Sequence, residues 1–300
     1  MEIRVLRYFL TVVREENISR AAEVLHITQP TLSRQLSELE TELGTQLLIR
    51  GKRRITLTDA GMLLRRRAEE IVALADKTQK EFGAPEDLVG GIIYMGSAEA
   101  AAAGILSELV DTFKKKYPQV QFDIYTGNAD LIKERIDQGL IDVALLLEPV
   151  EIERYDFLRL PGRERWGVLL SASSPLAQKP WIVPEDLVSV PLSNTSRSIV
   201  QKEIAGWFGD YYDQLNIFAT HNLIGNTARM VAHGLGAAIT IEGAVDMYKN
   251  PQLCFRPFYP ELATTAVLVW KKYQPAGPAV TRFIQEARQM IGAWEGTREK

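Results

Sequence analysis

The chain has 300 residues, of which 46% are hydrophobic and 24% charged, and its net charge of −3 reflects 35 basic and 38 acidic side chains. This length predicts two domains, and the charge balance requires any nucleic-acid contact to come from a local basic surface. One cysteine and three histidines without metal-binding spacing exclude an internal disulfide and a thiolate metal cluster, so we expect no metal and no cofactor. The charged N-terminus and the short apolar runs predict a soluble cytoplasmic protein without a membrane span.

The first part of the chain carries the signals of three helices. A first helix is predicted within residues 1–15, and a second helix opens at Ser19, a residue type favoured at the N-cap. A third helix begins with Thr28 as its N-cap and stops at Gly44. Two helices joined by a short turn form the geometry that places the second helix in the major groove of DNA.

A basic hairpin follows the third helix. Short β-like runs at 47–49 and 55–58 flank a basic, glycine-containing turn and predict a wing. Cations on such a wing neutralise phosphates or enter the minor groove, whereas the alternative is a solvated loop that protects a strand edge. Polar groups at the start of the third helix suit base edges and phosphates. The candidate DNA contacts are therefore Gln29, Thr31, Ser33, Arg34 and Gln35 on the helix, with Arg50, Lys52, Arg53 and Arg54 on the wing.

A long helix is predicted to follow the wing, capped by Thr58 and Asp59 and ended by the 83–85 Gly-Ala-Pro sequence. Steps of four and three residues along it form a short heptad seam that favours pairing with a second helix. The alternative is an amphipathic helix that packs on its own domain. The seam consists of Leu64, Ala68, Ile71, Ala75, Thr78 and Phe82.

Strand and helix signals alternate from residue 90 onward, which predicts mostly parallel sheets covered by helices on both faces. The predicted strands are 92–95, 120–125, 142–147, 168–170, 189–192, 217–219, 237–241 and 266–270. Ligands of open α/β sheets bind at the carboxyl ends of the strands. This rule selects Ser97, Ala98, Glu99, Asn128, Leu147, Ser193, Asn194, Thr195, Ser196 and Thr240 as candidate ligand-binding residues.

Five of these candidates, the run 193–196 and Glu99, have a second interpretation. The polar run 193–196 equally suits a cap for the helix that follows it. Glu99 favours a ligand with an amino group or several hydroxyls if it points into a cleft. If it instead complements the dipole of the next helix from its first turn, it carries no information about a ligand.

The N-terminal sequence resembles the DNA-binding domain of LysR-type transcriptional regulators. The shared features include Ala21-Ala22, Leu25-His26, Gln29-Pro30, Ser33-Arg34, Leu39-Glu40, Leu43-Gly44, Arg50, Leu57-Thr58 and Ala60-Gly61. The resemblance implies that Gln29, Pro30, Ser33 and Arg34 face DNA and that helix 59–82 links two subunits. One departure is Leu48, where the family usually has Phe, and we expect it to be a neutral core exchange.

The resemblance continues less sharply through FKKKYP at 113–118, GLIDVA at 139–144 and Gly234-Leu235-Gly236. It implies two α/β subdomains similar to type 2 periplasmic binding proteins, with an effector in the cleft between them. The chain would cross between the subdomains near Pro161 and Leu262. The family's habit of forming a tetramer from two dimers is a further expectation.

We therefore expect a winged helix-turn-helix at 1–58, a linker helix and hinge at 59–88, and an effector-binding domain at 89–300. Its first subdomain would comprise 89–161 and 263–300, and its second 162–262. The expected function is regulation of transcription by an oligomer that binds double-stranded operator DNA and a small-molecule effector. The alternative is an α/β solute-binding protein or enzyme with a helical N-terminal appendage. An enzyme is disfavoured because the cleft loops contain no His, no nucleophile–base pair and no phosphate loop.

Overall fold

The computed structural model describes residues 1–51, 54–81, 89–248, 250–273 and 276–298. The chain divides into two compact units, Met1–Gly83 and Ala84–Lys300. Within the described ranges, every helix is too short or too polar to span a lipid bilayer.

The first unit consists of four helices and a two-stranded hairpin. Its elements are α1 (Ile3–Glu15), α2 (Ile18–Val24), α3 (Gln29–Leu43), β1 (Leu48–Arg50), β2 (Ile55–Leu57) and α4 (Asp59–Glu81). Phe9, Leu32 and Leu36 are fully buried where α1 and α3 meet. Leu48 is also buried in this core, which places the departure from the family pattern among apolar neighbours.

The caps of these helices follow local chemistry. The Thr28 side chain accepts a hydrogen bond from the Thr31 N–H, and Gly44 ends α3 with a φ of 64°, which confirms both predicted boundaries. The prediction of Ser19 as the cap of α2 is wrong. Asn17 takes that position, and its side chain accepts a hydrogen bond from the Arg20 N–H because its short amide oxygen reaches the third helical residue.

Part of the predicted seam on α4 packs on the chain's own first unit. Leu64 and Ala68 pack into its core, and Arg7 of α1 forms an ion pair with Asp76 of α4. Ile71 lies beside this packed face and is exposed, and Leu63 and Leu74 extend it into an exposed apolar stripe. The packed residues fit the interpretation of an amphipathic helix on its own domain, and pairing with a second helix stays a prediction. Phe82 and the 83–85 sequence lie outside the described residues.

The second unit contains two sheets flanked by helices. In chain order, its elements are β3 (Gly91–Ser97), α5 (Ala103–Lys116), β4 (Val120–Thr126), α6 (Ala129–Asp137), β5 (Val143–Leu147), β6 (Tyr155–Arg159), β7 (Glu164–Ser171), β8 (Pro191–Thr195), α7 (Ser198–Phe208), β9 (Asn216–His221), α8 (Ile224–Ala232), β10 (Ala237–Ile241), α9 (Glu242–Asp246), β11 (Leu253–Pro257), β12 (Ala263–Thr264), β13 (Ala266–Lys271) and α10 (Pro278–Arg298). Short 3₁₀ helices cover Pro175–Gln178, Pro184–Leu187 and Gly209–Gln214.

Both sheets are mixed, so the expectation of mostly parallel sheets is wrong. The first sheet has the order β4-β3-β5-β13-β6, and β13 runs antiparallel to both of its neighbours. The second has the order β11-β7-β10-β8-β9, with β7 antiparallel to β10 and β11. The reason is that the chain leaves the first sheet after β6 and returns to it with β13. The outgoing and returning segments lie side by side and run in opposite directions, as the pairing of Thr264 with Glu164 shows.

A buried carboxylate joins the two halves of this unit, of which the first is built on the sheet that contains β3 and the second on the sheet that contains β7. Helix α5 has no side-chain cap of its own, and Glu164 at the start of β7 accepts a hydrogen bond from the Ala102 N–H at 3.0 Å. The N–H groups of Ala101 and Gly243 also donate to Glu164, and burial raises the pKa of this carboxyl above its usual value. Glu164 thus satisfies donors at the beginnings of both α5 and α9.

Candidate functional site

The start of α3 presents a polar face on the side opposite its buried leucines. Gln29, Pro30, Thr31 and Arg34 are exposed, and Ser33 is half-buried. Leu32, Leu36 and Leu39 are buried on the other side. The helix therefore exposes the side chains that the sequence predicts as DNA contacts, and their donors and acceptors suit base edges and phosphates.

Glu38 organises two of these side chains. It accepts a hydrogen bond from Arg34 Nε at 2.8 Å through one carboxylate oxygen and from Gln35 Nε2 at 2.8 Å through the other. The Arg34 side chain is 81% exposed, so this ion pair contributes little free energy. A phosphate or a guanine edge can therefore take the guanidinium away from Glu38 at small cost.

The wing is fixed to the helices by side-chain hydrogen bonds. The N–H groups of Leu47 and Leu48 donate to Glu40 Oε1 at 2.8 and 3.1 Å, so this acidic residue of α3 anchors the entry to β1. Among the predicted wing contacts, Arg50 ends β1 and Arg54 is exposed. Lys52 and Arg53 lie outside the described residues.

An inner cavity lies between the two sheets of the second unit. Its cavity volume is about 90 Å³, which is below the range of about 300–1,000 Å³ typical of sites for drug-sized ligands and therefore favours a small ligand. Both halves of the unit line it. The lining residues are Ala98, Glu99, Gly127, Asn128, Ala129, Leu147 and Glu148 from the first half, and Trp166, Thr195, Arg197, Val200, His221, Asn222, Leu223, Ile224, Ile239, Thr240, Ile241 and Ala244 from the second.

The structure brings six of the ten predicted ligand-binding residues together around this cavity: Ala98, Glu99, Asn128, Leu147, Thr195 and Thr240. The other four, Ser97, Ser193, Asn194 and Ser196, do not line it. Ser97 donates to the Ala98 carbonyl, and Ser193 bonds to His221. Asn194 is buried within β8 and accepts from the Thr195 N–H, while Ser196 is exposed.

The polar run 193–196 does not cap α7 as the alternative proposed. The N-cap residue of α7 is Arg197, which makes no capping bond with its side chain. Thr195 Oγ1 accepts a hydrogen bond from the Arg197 N–H at 3.3 Å, just before the helix. Asn128, by contrast, caps α6 by accepting from the Leu131 N–H at 3.0 Å and also lines the cavity.

Sequence reasoning missed Trp166, Arg197 and His221. Trp166 lies near the amino end of β7, which pairs antiparallel with the carboxyl end of β10. His221 is the last residue of β9, a parallel strand whose carboxyl end was predicted two residues too early. A histidine therefore does line the cavity, contrary to the expectation from the predicted loops.

His221 is held in its neutral form. Burial lowers the pKa of its imidazole to about 4, and its Nδ1 atom lies 2.9 Å from Ser193 Oγ. Near neutral pH the ring can therefore donate or accept a hydrogen bond but adds no positive charge to the cavity.

Arg197 is buried at the side of the cavity and bridges the two halves of the unit. Its side chain is 8% exposed, and its Nε and Nη2 atoms lie 3.4 and 3.5 Å from the two carboxylate oxygens of Asp130. Nη2 also donates to the Pro149 carbonyl at 3.1 Å. The charge of this guanidinium is therefore matched by a carboxylate.

Glu99 faces the cavity rather than the dipole of α5. The helix begins at Ala103, so Glu99 lies outside its first turn, and Glu164 takes the capping position instead. Tyr248 donates a hydrogen bond from its hydroxyl to Glu99 Oε1 at 3.1 Å. Of the two interpretations of this residue, the structure favours the one in which it contacts a ligand.

A winged helix-turn-helix joined to a two-sheet α/β unit with a cavity between the sheets defines a DNA-binding regulator with a ligand-binding domain. Residues 3–62 match the family model described as a bacterial regulatory helix-turn-helix protein of the lysR family. Residues 86–292 match the LysR substrate binding domain. The chain belongs to the LysR family of transcriptional regulators.

Relatives extend over the whole chain. The Hca operon transcriptional activator HcaR of Escherichia coli (strain K12) is 31% identical over 98% of this chain and 99% of its own length. The HTH-type transcriptional regulator BudR of Raoultella terrigena is 28% identical over 95% of this chain and 99% of its own length. The structure of full-length CbnR complexed with its target DNA has a TM-score of 0.75 at 22% identity and covers 96% of this chain and 99% of that one. At this identity, the similarity to CbnR shows a shared fold.

Proposed function

We propose that this regulator contacts its operator through α3 and the wing, with Gln29, Pro30, Thr31, Ser33, Arg34, Arg50, Lys52, Arg53 and Arg54 as the contacting residues. The observation that carries the proposal is the exposed polar face at the start of α3, opposite a fully buried leucine face. It acts in the cytoplasm, by binding rather than by catalysis. The proposed domains are 1–58 for DNA binding, 59–88 for the linker and 89–300 for the effector.

Alanine substitutions in α3 test this face. The operator is first identified by sequencing the genomic DNA fragments that the protein retains. Replacing Ser33 or Arg34 with alanine should weaken binding to this operator by about 5- to 150-fold. This range corresponds to about 1–3 kcal/mol per base-edge contact. Fluorescence anisotropy with the recovered operator and a scrambled duplex at fixed salt measures the loss.

A matched control is available on α4. Arg65 forms an exposed pair with Glu69, four residues later, at 3.0 Å, which is the same arrangement as Arg34 and Glu38. Arg65→Ala should leave operator specificity unchanged. Wild-type affinity and specificity in both the Ser33 and the Arg34 variant would refute the assignment of this face.

We also propose that the effector occupies the inner cavity and modulates operator binding. The cavity is lined from both halves of the unit, so a ligand there contacts both. A ligand that binds one arrangement of the two halves more tightly shifts their equilibrium in proportion to that difference in affinity. Operator affinity measured with and without the effector tests this coupling.

The regulator is further proposed to act as a dimer or tetramer. On α4, Leu63, Ile71 and Leu74 form an exposed apolar stripe. Ile124 on the edge strand β4 and Ile217 and Phe218 on the edge strand β9 are exposed as well. Burying such surfaces against a second copy gains hydrophobic free energy and covers strand edges. Sedimentation velocity of the full chain measures the oligomeric state.

A further inference from the structure

Two fully buried polar atoms at the inner cavity have no hydrogen-bond partner among the described residues. One is the acceptor Oε2 of Glu99 and the other is the donor Nε1 of Trp166, and both residues line the cavity. Trp166 as a whole is only 7% exposed. Since a buried polar group without a partner costs about 1–3 kcal/mol, both atoms favour a ligand that supplies one donor and one acceptor.

The Glu99 carboxylate is already oriented for this role. Tyr248 occupies Oε1 with a hydrogen bond of 3.1 Å, which leaves Oε2 for a donor from the ligand. The indole of Trp166 is placed by β7, whose pairing sets Trp166 directly opposite Ile241 at the end of β10. Ile241 and Ala244 also line the cavity, so Trp166 belongs to the same part of its wall.

The charges around the cavity leave Glu99 as the unbalanced group. Glu148 forms an ion pair with Arg159 at 3.0 Å and accepts a hydrogen bond from Thr265. Arg197 is paired with Asp130. Within the described part of the chain, no cation is paired with Glu99, and the low pKa of His221 keeps that ring uncharged. The cavity therefore attracts a cation and repels a lone carboxylate.

Most of the remaining wall is apolar, although Asn128, Thr195, Asn222 and Thr240 add polar groups to it. The apolar part includes Leu147, Val200, Ile224, Ile239 and Ala244. Such walls gain free energy by covering a hydrocarbon body and cannot satisfy a polar one. A ligand of this cavity therefore combines an apolar body with a small polar end.

We propose that the effector is a small primary amine with an apolar body and a neighbouring hydrogen-bond-accepting oxygen. Its ammonium group donates to Glu99 Oε2, and its oxygen accepts from Trp166 Nε1. The proposal rests on the proposed function, since it takes the inner cavity to be the effector site. It goes beyond that function by stating the charge and the polar groups of the ligand.

Isothermal titration calorimetry of the full chain with four probes tests the ligand class. Leucinol and phenylalaninol carry the amine and the oxygen, while 4-methylpentanoate and 3-phenylpropionate present the same apolar bodies with a carboxylate. We expect at least one amino alcohol to bind more tightly than its matched acid by about tenfold or more, because the Glu99 carboxylate attracts an ammonium group and repels a second carboxylate. Tighter binding of the acids, or no binding of either amino alcohol, would overturn the proposal.

Variants assign the effect to the two atoms. Glu99→Gln keeps the shape but removes the charge, and Trp166→Phe keeps an aromatic ring but removes the N–H. Each should weaken amino alcohol binding by about tenfold or more, while Glu108→Gln, an exposed glutamate on α5, should not. Thermal unfolding shows that each variant is folded. Unchanged affinity in both cavity variants contradicts the proposal.

Operator binding separates this inference from the proposed function. If the chain binds its operator but responds only to a carboxylate, the ligand class is wrong and the regulatory function stands. If the chain binds no operator, the proposed function itself fails, whatever the calorimetry shows. If an amino alcohol binds in the Glu99-dependent way and changes operator affinity, both are supported.

Discussion

The imidazole of His221 makes the second unit less stable as the pH falls below neutral. Its pKa falls from 6.5 to about 4 on burial, so the folded chain holds fewer protons than the unfolded chain below about pH 6.5. The stabilisation is therefore present above the unfolded pKa and is lost as the pH falls toward the folded one. Proton linkage with these two pKa values gives a loss of about 2 kcal/mol between about pH 7 and pH 5.

Replacing His221 with glutamine removes this titration but keeps a partner for Ser193, whose hydroxyl lies 2.9 Å from the ring nitrogen. The five tryptophans all lie at residue 166 or later, so their fluorescence in urea reports on the second unit alone. The unfolding free energy of the wild type should fall by about 2 kcal/mol more than that of the variant between about pH 7 and pH 5.

The exposed His233 provides the matched control, and His233→Gln should follow the wild type. A nuclear magnetic resonance titration of the imidazole protons should show one histidine that remains neutral at about pH 5. If the wild type and His221→Gln lose stability in parallel, the buried and neutral state of His221 is wrong.

Two further substitutions test the packing around Glu164 and the exposed stripe on α4. A Cβ on Gly243 would overlap the Ala101 nitrogen and lie 2.6 Å from Glu164 Oε2; Gly243→Ala should therefore lower the unfolding free energy in urea by about 1–3 kcal/mol. The control Gly206→Ala, in α7 with nothing within 4 Å of its Cβ, should be neutral or stabilising. Leu63→Glu, on the exposed face of α4, should shift sedimentation toward smaller species, and an unchanged profile would exclude this stripe from self-association.

The first unit was predictable because its signals are local. Thr28 and Gly44 act on neighbouring backbone groups, and the leucines of α3 keep a helical spacing whatever the rest of the chain does. The start of α2 was misplaced, since Asn17 and Ser19 are both good caps and lie two residues apart. The apolar pattern of α4 was visible too, but sequence periodicity does not tell which residues meet the chain's own core and which meet solvent.

The second unit depends on pairing between distant segments, which composition does not encode. The alternation of strands and helices predicted parallel sheets, and the rule for parallel sheets selects carboxyl ends of strands. Because β7 runs antiparallel to β10, its amino end lies at that same edge and places Trp166 there. The error in strand direction and the missed tryptophan therefore have one cause.

Polar runs in a strand are ambiguous for a related reason. Successive side chains point to opposite faces, so a run such as 193–196 cannot place all its members in one cavity. Alternation separates Thr195, which lines the cavity, from Asn194, which is buried within β8. Ser193 shares the face of Thr195, but its hydroxyl bonds to His221. Glu99 shows what decides such cases: its sequence fits both a helix dipole and a ligand, and the start of α5 at Ala103 excludes the dipole. The buried Glu99 oxygen without a donor then favours a ligand that supplies one, because a buried charge without a hydrogen-bond partner costs stability.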